Sequence, residues 1–326
     1  MNAGNYSQTI ARELVHKRSI AEVLITSVTA ASATQATPAN WTCHAQLPRG
    51  HSFHTDTTGE QNAYHDPLLV LEAFRQACIA ASHAFYDVPL DARHTVRYYE
   101  LSILDLATLK RGPRVLDLEL DIAVRKEFRR GGGLQGPVHG LDVAAVVTHE
   151  GTKVMELSGA FGWMLLPKWE VFRGGASWDP GPQASPAHPQ IVGRRSPENV
   201  VIGDTVLLGG GAASAPIVVD LTHPTIFDHP LDHLPGGLII EACRQLSLAI
   251  MGSGSATIMG PTWLRCDFHS FAELDATNTV TVAPAGEDAL SFRGEVTQSG
   301  QTRASIELRF TAGDSGDSGD RMSPSA

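Results

Sequence analysis

The sequence is short of several things, and each shortage removes a class of protein. Cysteine appears four times in 326 residues, as Cys43, Cys78, Cys243 and Cys266, with no Cys-x-x-Cys spacing. That pattern argues against a disulfide framework and points to free thiols packed as small apolar groups in a reducing compartment. Basic charge is scarce: 25 Lys and Arg stand against 35 Asp and Glu, a net charge of -10, so no nucleic-acid partner is expected. The 14 histidines show no zinc-type spacing, and no metal is expected. No run is long and apolar enough to cross a bilayer, because Glu241 and Arg244 interrupt the best candidate. The first twenty residues contain Arg12, Glu13, Lys17 and Arg18 with no apolar stretch, hence no signal peptide. A soluble, cytoplasmic chain is the expectation.

What is present is a duplication. The stretch from Pro235 through Gly236, Gly237 and Leu238 to Gln245 reads as a turn that opens a helix apolar on nearly every face, and such a helix belongs inside a core. It nevertheless carries Glu241 and Arg244, three residues apart and on one side, where a buried charge needs a partner or a use. Leu68 to Ala77 repeats the text, with Glu72, Arg75 and Gln76 at the relative positions of Glu241, Arg244 and Gln245, 169 residues earlier. Lys17-Arg18-Ser19 answers Arg194-Arg195-Ser196, and Leu47 to Phe53 answers Asp220 to Phe227. After each helix the strand-like text ends in a matching pair, Val147 through Phe161 and Val296 through Phe310. Matches before, within and after the helix make coincidence untenable, and a chain with 42% hydrophobic residues can bury two cores.

Taken in order, residues 1–13 are polar and frayed, 14–29 and 41–47 are strand-like, and Asp66 and Pro67 supply a cap and a first-turn proline for a helix to about Tyr86. Residues 95–104, 114–125, 137–149 and 153–166 alternate as strands. Gly174, Gly175, Pro180, Gly181, Pro182, Pro186 and Pro189 mark a linker. The second copy follows with strands at 198–208 and 215–221, a helix from Pro235 to Met251, and strands near 261–270, 277–284, 288–297 and 301–311. This gives a first repeat over 1–172, a linker over 173–190, a second repeat over 191–312 and a disordered, low-complexity tail over 313–326. A long apolar helix wrapped by an antiparallel meander is the hot-dog arrangement. Two in one α+β chain would pack as an intrachain pseudo-dimer.

The text from His223-Pro224-Thr225-Ile226-Phe227 through Asp232-His233-Leu234-Pro235-Gly236 to Glu241-Ala242-Cys243-Arg244-Gln245, with His65-Asp66-Pro67-Leu68-Leu69 and Glu72 to Gln76, resembles the AfsA-type γ-butyrolactone signal synthases. The likeness spans both halves. It implies an acyltransferase that joins a β-ketoacyl chain, delivered on an acyl carrier protein, to the hydroxyl of dihydroxyacetone phosphate, with no cofactor. The ester could then close by aldol chemistry to a butenolide, precursor of butyrolactone or furan signals.

Such a transfer needs a base, an oxyanion donor and a phosphate clamp. On this resemblance Glu241 is the expected base, its pKa raised by burial while Arg244 keeps it ionised. Arg244 could instead grip the phosphate. Gly236 and Gly237 offer free N–H groups to an acyl oxygen, and His233 with Asp232 could relay a proton. Glu72 and Arg75 would serve a second pocket or hold phosphate; His65, His223 and His51 complete the candidate binding residues. The plainer alternatives are that both Glu–Arg pairs are ion pairs fixing helix orientation, and that His51, His223 and His65 satisfy loop backbone. The run Arg125 to Arg130 is a solvated strand end or a dock for an acidic carrier. The first copy lacks the Pro-Gly-Gly turn, so unequal sites are expected, with the reaction on the Glu241 side. Rival functions are a hot-dog thioesterase or dehydratase and a non-catalytic acyl-ligand regulator; Phe227 stands where a dehydratase histidine belongs, which counts against dehydration.

Overall fold

The computed structural model describes residues 3–30, 39–132, 136–181, 183–252, 257–286 and 288–312. The expected disordered tail, and most of the Ala/Thr/Ser loop after residue 30, lie outside them.

Two long helices are wrapped by one twelve-stranded antiparallel sheet. In the first half the strands are β1 (Ile25–Ala30), β2 (Asn40–Leu47), β3 (Arg93–Ile103), β4 (Leu116–Arg129), β5 (Val138–His149) and β6 (Thr152–Met164). In the second they are β7 (Val206–Leu207), β8 (Ala213–Pro216), β9 (Ile258–Phe268), β10 (Asn278–Pro284), β11 (Ser291–Gln298) and β12 (Gln301–Ala312). The order β1-β2-β4-β5-β6-β3-β9-β12-β11-β10-β8-β7 is its own mirror under the repeat. The halves join at β3 and β9, where Glu100 faces Arg265 and binds it at 3.0 Å. The duplicated hairpins match in detail: Glu150-Gly151 and Ser299-Gly300 all take positive φ, as a two-residue turn between twisted strands requires.

Helix α1 runs Pro67–Phe85 and α3 runs Gly236–Met251. Asp66 caps α1 by accepting the Leu68 N–H at 3.0 Å, with Pro67 in the first turn. Pro235 leads into α3 without any side-chain cap, and Gly252 at φ 57° ends it. Both helices are buried round most of their circumference, and their apolar residues belong to one continuous core. All four cysteines are unpaired and buried, two of them on these helices. By length and composition α1 is apolar enough to cross a membrane, which corrects the sequence expectation, but most of it is buried inside the fold.

Three segments depart from the strand reading. Residues 14–24 form 3₁₀ turns (Arg12–Val15, Ile20–Glu22) instead of strand, because the N–H groups of Arg18 and Ser19 bond the Asp228 carboxylate at 2.6 and 2.8 Å rather than a sheet neighbour. The second copy behaves alike: Ser196 N–H bonds Asp56 at 3.1 Å, Pro197–Asn199 is a 3₁₀ turn, and only β7 and β8 remain of the two expected strands. A short helix α2 (Leu166–Arg173) follows β6. The residues before about 13 are not simply frayed, since Ala3–Tyr6 is also a 3₁₀ turn.

Those two aspartates form crossed straps. Asp56, in the loop before α1, holds the basic motif of the second half, and Asp228, in the loop before α3, holds that of the first.

Candidate active site

The repeat places matching side chains round each central helix. Gln76 accepts the Leu24 N–H at 2.9 Å and donates to the Glu22 carbonyl and to Glu72. Gln245 does the same with Val201, Asn199 and Glu241. Each glutamate also meets the first residue of the repeated basic motif: Lys17 Nζ lies 3.2 Å from Glu72 and Arg194 Nη2 lies 2.6 Å from Glu241. In the sequence Lys17 and Arg194 stand out only as a repeated motif, which carries no signal of these contacts.

Round Glu241 the cluster is closed. Arg194 binds Oε1 and stacks on Phe53, while Arg244 Nε binds Oε2 at 2.8 Å. Arg244 Nη1 continues to Asp66 at 2.9 Å, and Asp66 meets His54 Nδ1 at 2.9 Å. The side chains of Glu241 and Arg244 are 1% and 3% exposed. Two carboxylates face two guanidiniums, so the cluster is neutral and its acceptors are taken. Burial alone would raise the Glu241 pKa, but Arg194 and Arg244 outweigh it and the net direction is down. This corrects the expectation of a carboxylate tuned upward. The Asp66 carboxyl is likewise held well below the usual range, burial being overcome by Arg244 and His54.

Round Glu72 the cluster is open. Arg75 binds it with two parallel bonds, Nε to Oε2 at 2.8 Å and Nη2 to Oε1 at 2.9 Å. The two side chains are 21% and 29% exposed, against Lys17 at 5%. Here one carboxylate faces two cations. Arg75 and Lys17 together hold Glu72 well below its ordinary pKa against the opposing push of burial. Nη1 of Arg75, the nitrogen whose counterpart in Arg244 binds Asp66, has no hydrogen-bond acceptor among the described residues. The reason is a single position: Pro235 stands before α3 where Asp66 stands before α1. Two other acids lie nearby: Glu22 turns its carboxylate to His51 at 3.5 Å and Thr225 at 3.3 Å, and Asp228, whose charge reaches Arg75 and Lys17, accepts the Arg18 and Ser19 N–H groups.

The remaining expected residues fall into three groups. Gly237 is exposed, and a Cβ there would meet nothing; a Cβ on Gly236 would sit 2.9 Å from the Phe268 ring. The Leu238 and Ile239 N–H groups bond Pro235, which leaves those of Gly236 and Gly237 without a backbone acceptor among the described residues. Asp232 and His233 form a separate knot: His233 Nδ1 binds Asp232 at 2.6 Å, and Arg173 of α2 binds Asp232 at 3.0 Å and Glu273 at 2.6 Å. Neither is hydrogen bonded to Glu241. His51 and His223 do the same loop-holding work, each accepting the N–H groups two and three residues on. His65 is 2% exposed, with its pKa pushed down to about 4 by burial and by Arg111. A cavity of about 230 Å³ lined by Gln183, Pro216, Leu274 and Asn278 touches neither cluster.

A family model described as the A-factor biosynthesis hotdog domain matches residues 3–148 and 176–314. A 2-oxo-3-(phosphooxy)propyl 3-oxoalkanoate synthase of Streptomyces virginiae is 31% identical over 288 residues, 85% of this chain and 88% of that protein. The synthase of the same name from Streptomyces griseus is 29% identical, over 84% of this chain and 90% of its own. Among solved structures, the dehydratase domain from the CurF module of curacin polyketide synthase is similar with a TM-score of 0.51 at 10% identity, covering 88% of this chain and 97% of that domain. That last likeness speaks for the fold alone.

Proposed function

The chain belongs to the A-factor biosynthesis hotdog family, and from that membership we propose that it esterifies dihydroxyacetone phosphate with a β-ketoacyl group taken from an acyl carrier protein thioester. The name its relatives bear describes the ester of those two parts. The reaction draws on cytoplasmic metabolites, which supports that location.

The observation that carries the reading is the unanswered edge of Arg75. A guanidinium one carboxylate short, beside Lys17 and a partly exposed Glu72, is suited to a phosphate dianion. The repeat relation that takes Arg244 Nη1 to the residue before α1 directs Arg75 Nη1 toward the residue before α3, where the Gly236 and Gly237 N–H groups are free. Phe268 links the two sides, packing on Gly236 and lying 6.2 Å from the Tyr99 ring, which neighbours Arg75.

Glu72, rather than Glu241, is the base in this proposal. In the free protein its two cations make it a poor one. Once Arg75 and Lys17 turn to the phosphate, those charges are shared and the added dianion repels, so Glu72 becomes more basic where the triose hydroxyl lies. The hydroxyl oxygen attacks the thioester carbon and its proton passes to Glu72, while the developing oxyanion rests on the Gly236 and Gly237 N–H groups. The C–S bond then breaks, and the thiolate leaves with that proton.

We place the carrier against the end of β4. Arg125 and Arg129 are already paired there, with Asp142 and Glu127, whereas Lys126 and Arg130 are exposed; reversing the latter two charges should slow carrier-bound but not small thioester substrates.

The decisive experiment is to incubate the chain with a β-ketoacyl thioester and dihydroxyacetone phosphate and weigh the products. A phosphorylated ester, or its butenolide, is expected. Free β-keto acid as sole product would establish a thioesterase, and no turnover with retained acyl binding would establish a regulator.

A further inference from the structure

Three histidines from three separate elements meet beside the C-terminal end of α1. His16 follows the turn Arg12–Val15, His83 lies in the last turn of α1 and His94 is near the start of β3. One ring nitrogen from each lies within 4.8 Å of the other two. Their ring centroids are 4.9 to 5.5 Å apart, and all three are partly buried. No spacing in the sequence could announce this cluster, since its members stand at 16, 83 and 94.

Hydrogen bonding fixes what each ring has to offer. His83 Nδ1 lies 2.7 Å from the Val88 carbonyl, which can only accept, so Nδ1 carries the hydrogen and Nε2 presents a lone pair. The Ser82 hydroxyl donates to the Ile79 carbonyl at 2.7 Å and is therefore the acceptor from His94 Nε2 at 2.8 Å. That leaves His94 Nδ1 as a bare lone pair, and this nitrogen is buried without a partner. His16 Nε2 lies 3.0 Å from His83 Nε2, so His16 must lend the hydrogen between them. Two rings are anchored through one N–H to an oxygen, with the other nitrogen unprotonated, as metal-ligating histidines typically are.

We propose that His16, His83 and His94 bind one divalent ion of the zinc and cobalt type through three imidazoles, with a fourth position left to water. Imidazole is a preferred ligand for such ions. Nitrogens at about 2.0–2.1 Å from a tetrahedral ion stand about 3.3 Å apart. The His16–His83 pair thus needs to open by a few tenths of an ångström, and His94 to close in. His16 keeps its hydrogen by moving it to Nδ1, so ligation needs no net proton loss. Two of the rings resist protonation: burial first, then its histidine and arginine neighbours, hold the His16 pKa down to about 3, and the same causes hold that of His94 well below its ordinary value. Arg75 and Arg93, which contribute to that depression at His16, also oppose a dication. Affinity is therefore moderate, and an anionic fourth ligand such as hydroxide is favoured. Because His16 adjoins Lys17, the ion would tie the segment bearing that lysine to α1.

The test uses the full chain without a histidine tag, stripped with a chelator and titrated with Co²⁺ and then Zn²⁺. One Co²⁺ per chain with the intense visible bands of a low-coordinate site is expected, displaced by Zn²⁺. Zn²⁺ should also raise the unfolding midpoint. His16→Ala and His94→Asn should each weaken binding by about tenfold or more and abolish the shift in midpoint. His16 lies outside both the central helices and the sheet, whereas His94 is in β3, so the His16 variant reads the site even if His94→Asn folds poorly. Six-coordinate Co²⁺ spectra, or binding unchanged in His16→Ala, would overturn the proposal. The readout is ion binding and stands whether or not the chain forms an ester.

Discussion

The two halves carry the same Glu–Arg–Gln helix face and set it in opposite surroundings. Round Glu241, two carboxylates and two guanidiniums close on one another and exclude water. Round Glu72, one carboxylate serves two cations, and both it and Arg75 are partly exposed. The difference comes down to the residue before each helix, Asp66 against Pro235. Asp66 caps its own helix and at the same time satisfies the arginine of the other half. A repeated ion pair therefore does not mean a repeated environment: Arg244 Nη1 is spent on Asp66, while Arg75 Nη1 meets no acceptor among the described residues.

The comparison breaks most visibly at the glutamates. Glu72→Gln should cut ester formation by about 10²–10⁴-fold with folding intact, as removal of a general base does. Glu241→Gln should act on stability instead, lowering it by about 3–5 kcal/mol because Asp66 alone is then left to balance two buried guanidiniums and Arg194 loses its carboxylate. Urea denaturation alongside turnover per folded molecule separates the two, and a stable but inactive Glu241→Gln protein would reverse the assignment.

Pro235→Asp sharpens the contrast by giving the second helix the first one's cap. Pro235 at φ -66° and ψ 147° nearly matches Asp66 at φ -63° and ψ 123°, so the backbone should accept the change. The new carboxylate would occupy Arg75 and raise the KM for dihydroxyacetone phosphate by about tenfold or more, the loss expected of a charge-assisted bond worth about 1.5–3 kcal/mol. An unchanged KM would put the phosphate elsewhere.

Acid exposes the closed cluster. The folded Asp66 pKa lies below its unfolded value of about 3.9. Its stabilising contribution is thus complete above that value and is lost as pH falls through the depressed folded pKa. Asp66→Asn should flatten this part of the acid limb in denaturation midpoints measured from pH 5 downward. The smallest effects belong to the glycines: Gly236→Ala should cost about 1–3 kcal/mol through the Phe268 contact, while Gly237→Ala, with open space at its Cβ, should be neutral or slightly stabilising.

Repetition made much of this legible in advance. The matched helices, the paired hairpins and the Lys17 and Arg194 motifs could all be read from text alone, and so could the wrapped arrangement. What could not be read was which side chains cross between halves. Asp66 looked like an ordinary helix cap, yet its second bond goes to Arg244, 178 residues away. Strand-like composition at 14–24 misled because the Arg18 and Ser19 N–H groups bond an aspartate of the opposite half, and at 198–205 because Ser196 is held likewise by Asp56 and only an isolated Ile202–Ile217 bridge forms beyond it. Burial misled in another way: alone it would raise the Glu241 pKa, and two guanidiniums bring it down instead.

The crossed straps at Asp56 and Asp228 also bear on how such a chain can diversify. Since each half supplies a clasp that the other needs, neither can drift out of the partnership, but the covalent tether keeps them at fixed one-to-one ratio and high mutual concentration. A protease cut between Gly174 and Ala187 should therefore leave a nicked complex that holds together at ordinary dilution and separates only in denaturant. Fusion lets the two copies diverge, as the closed Glu241 cluster and the open Glu72 cluster already do, a freedom that two identical subunits could never have.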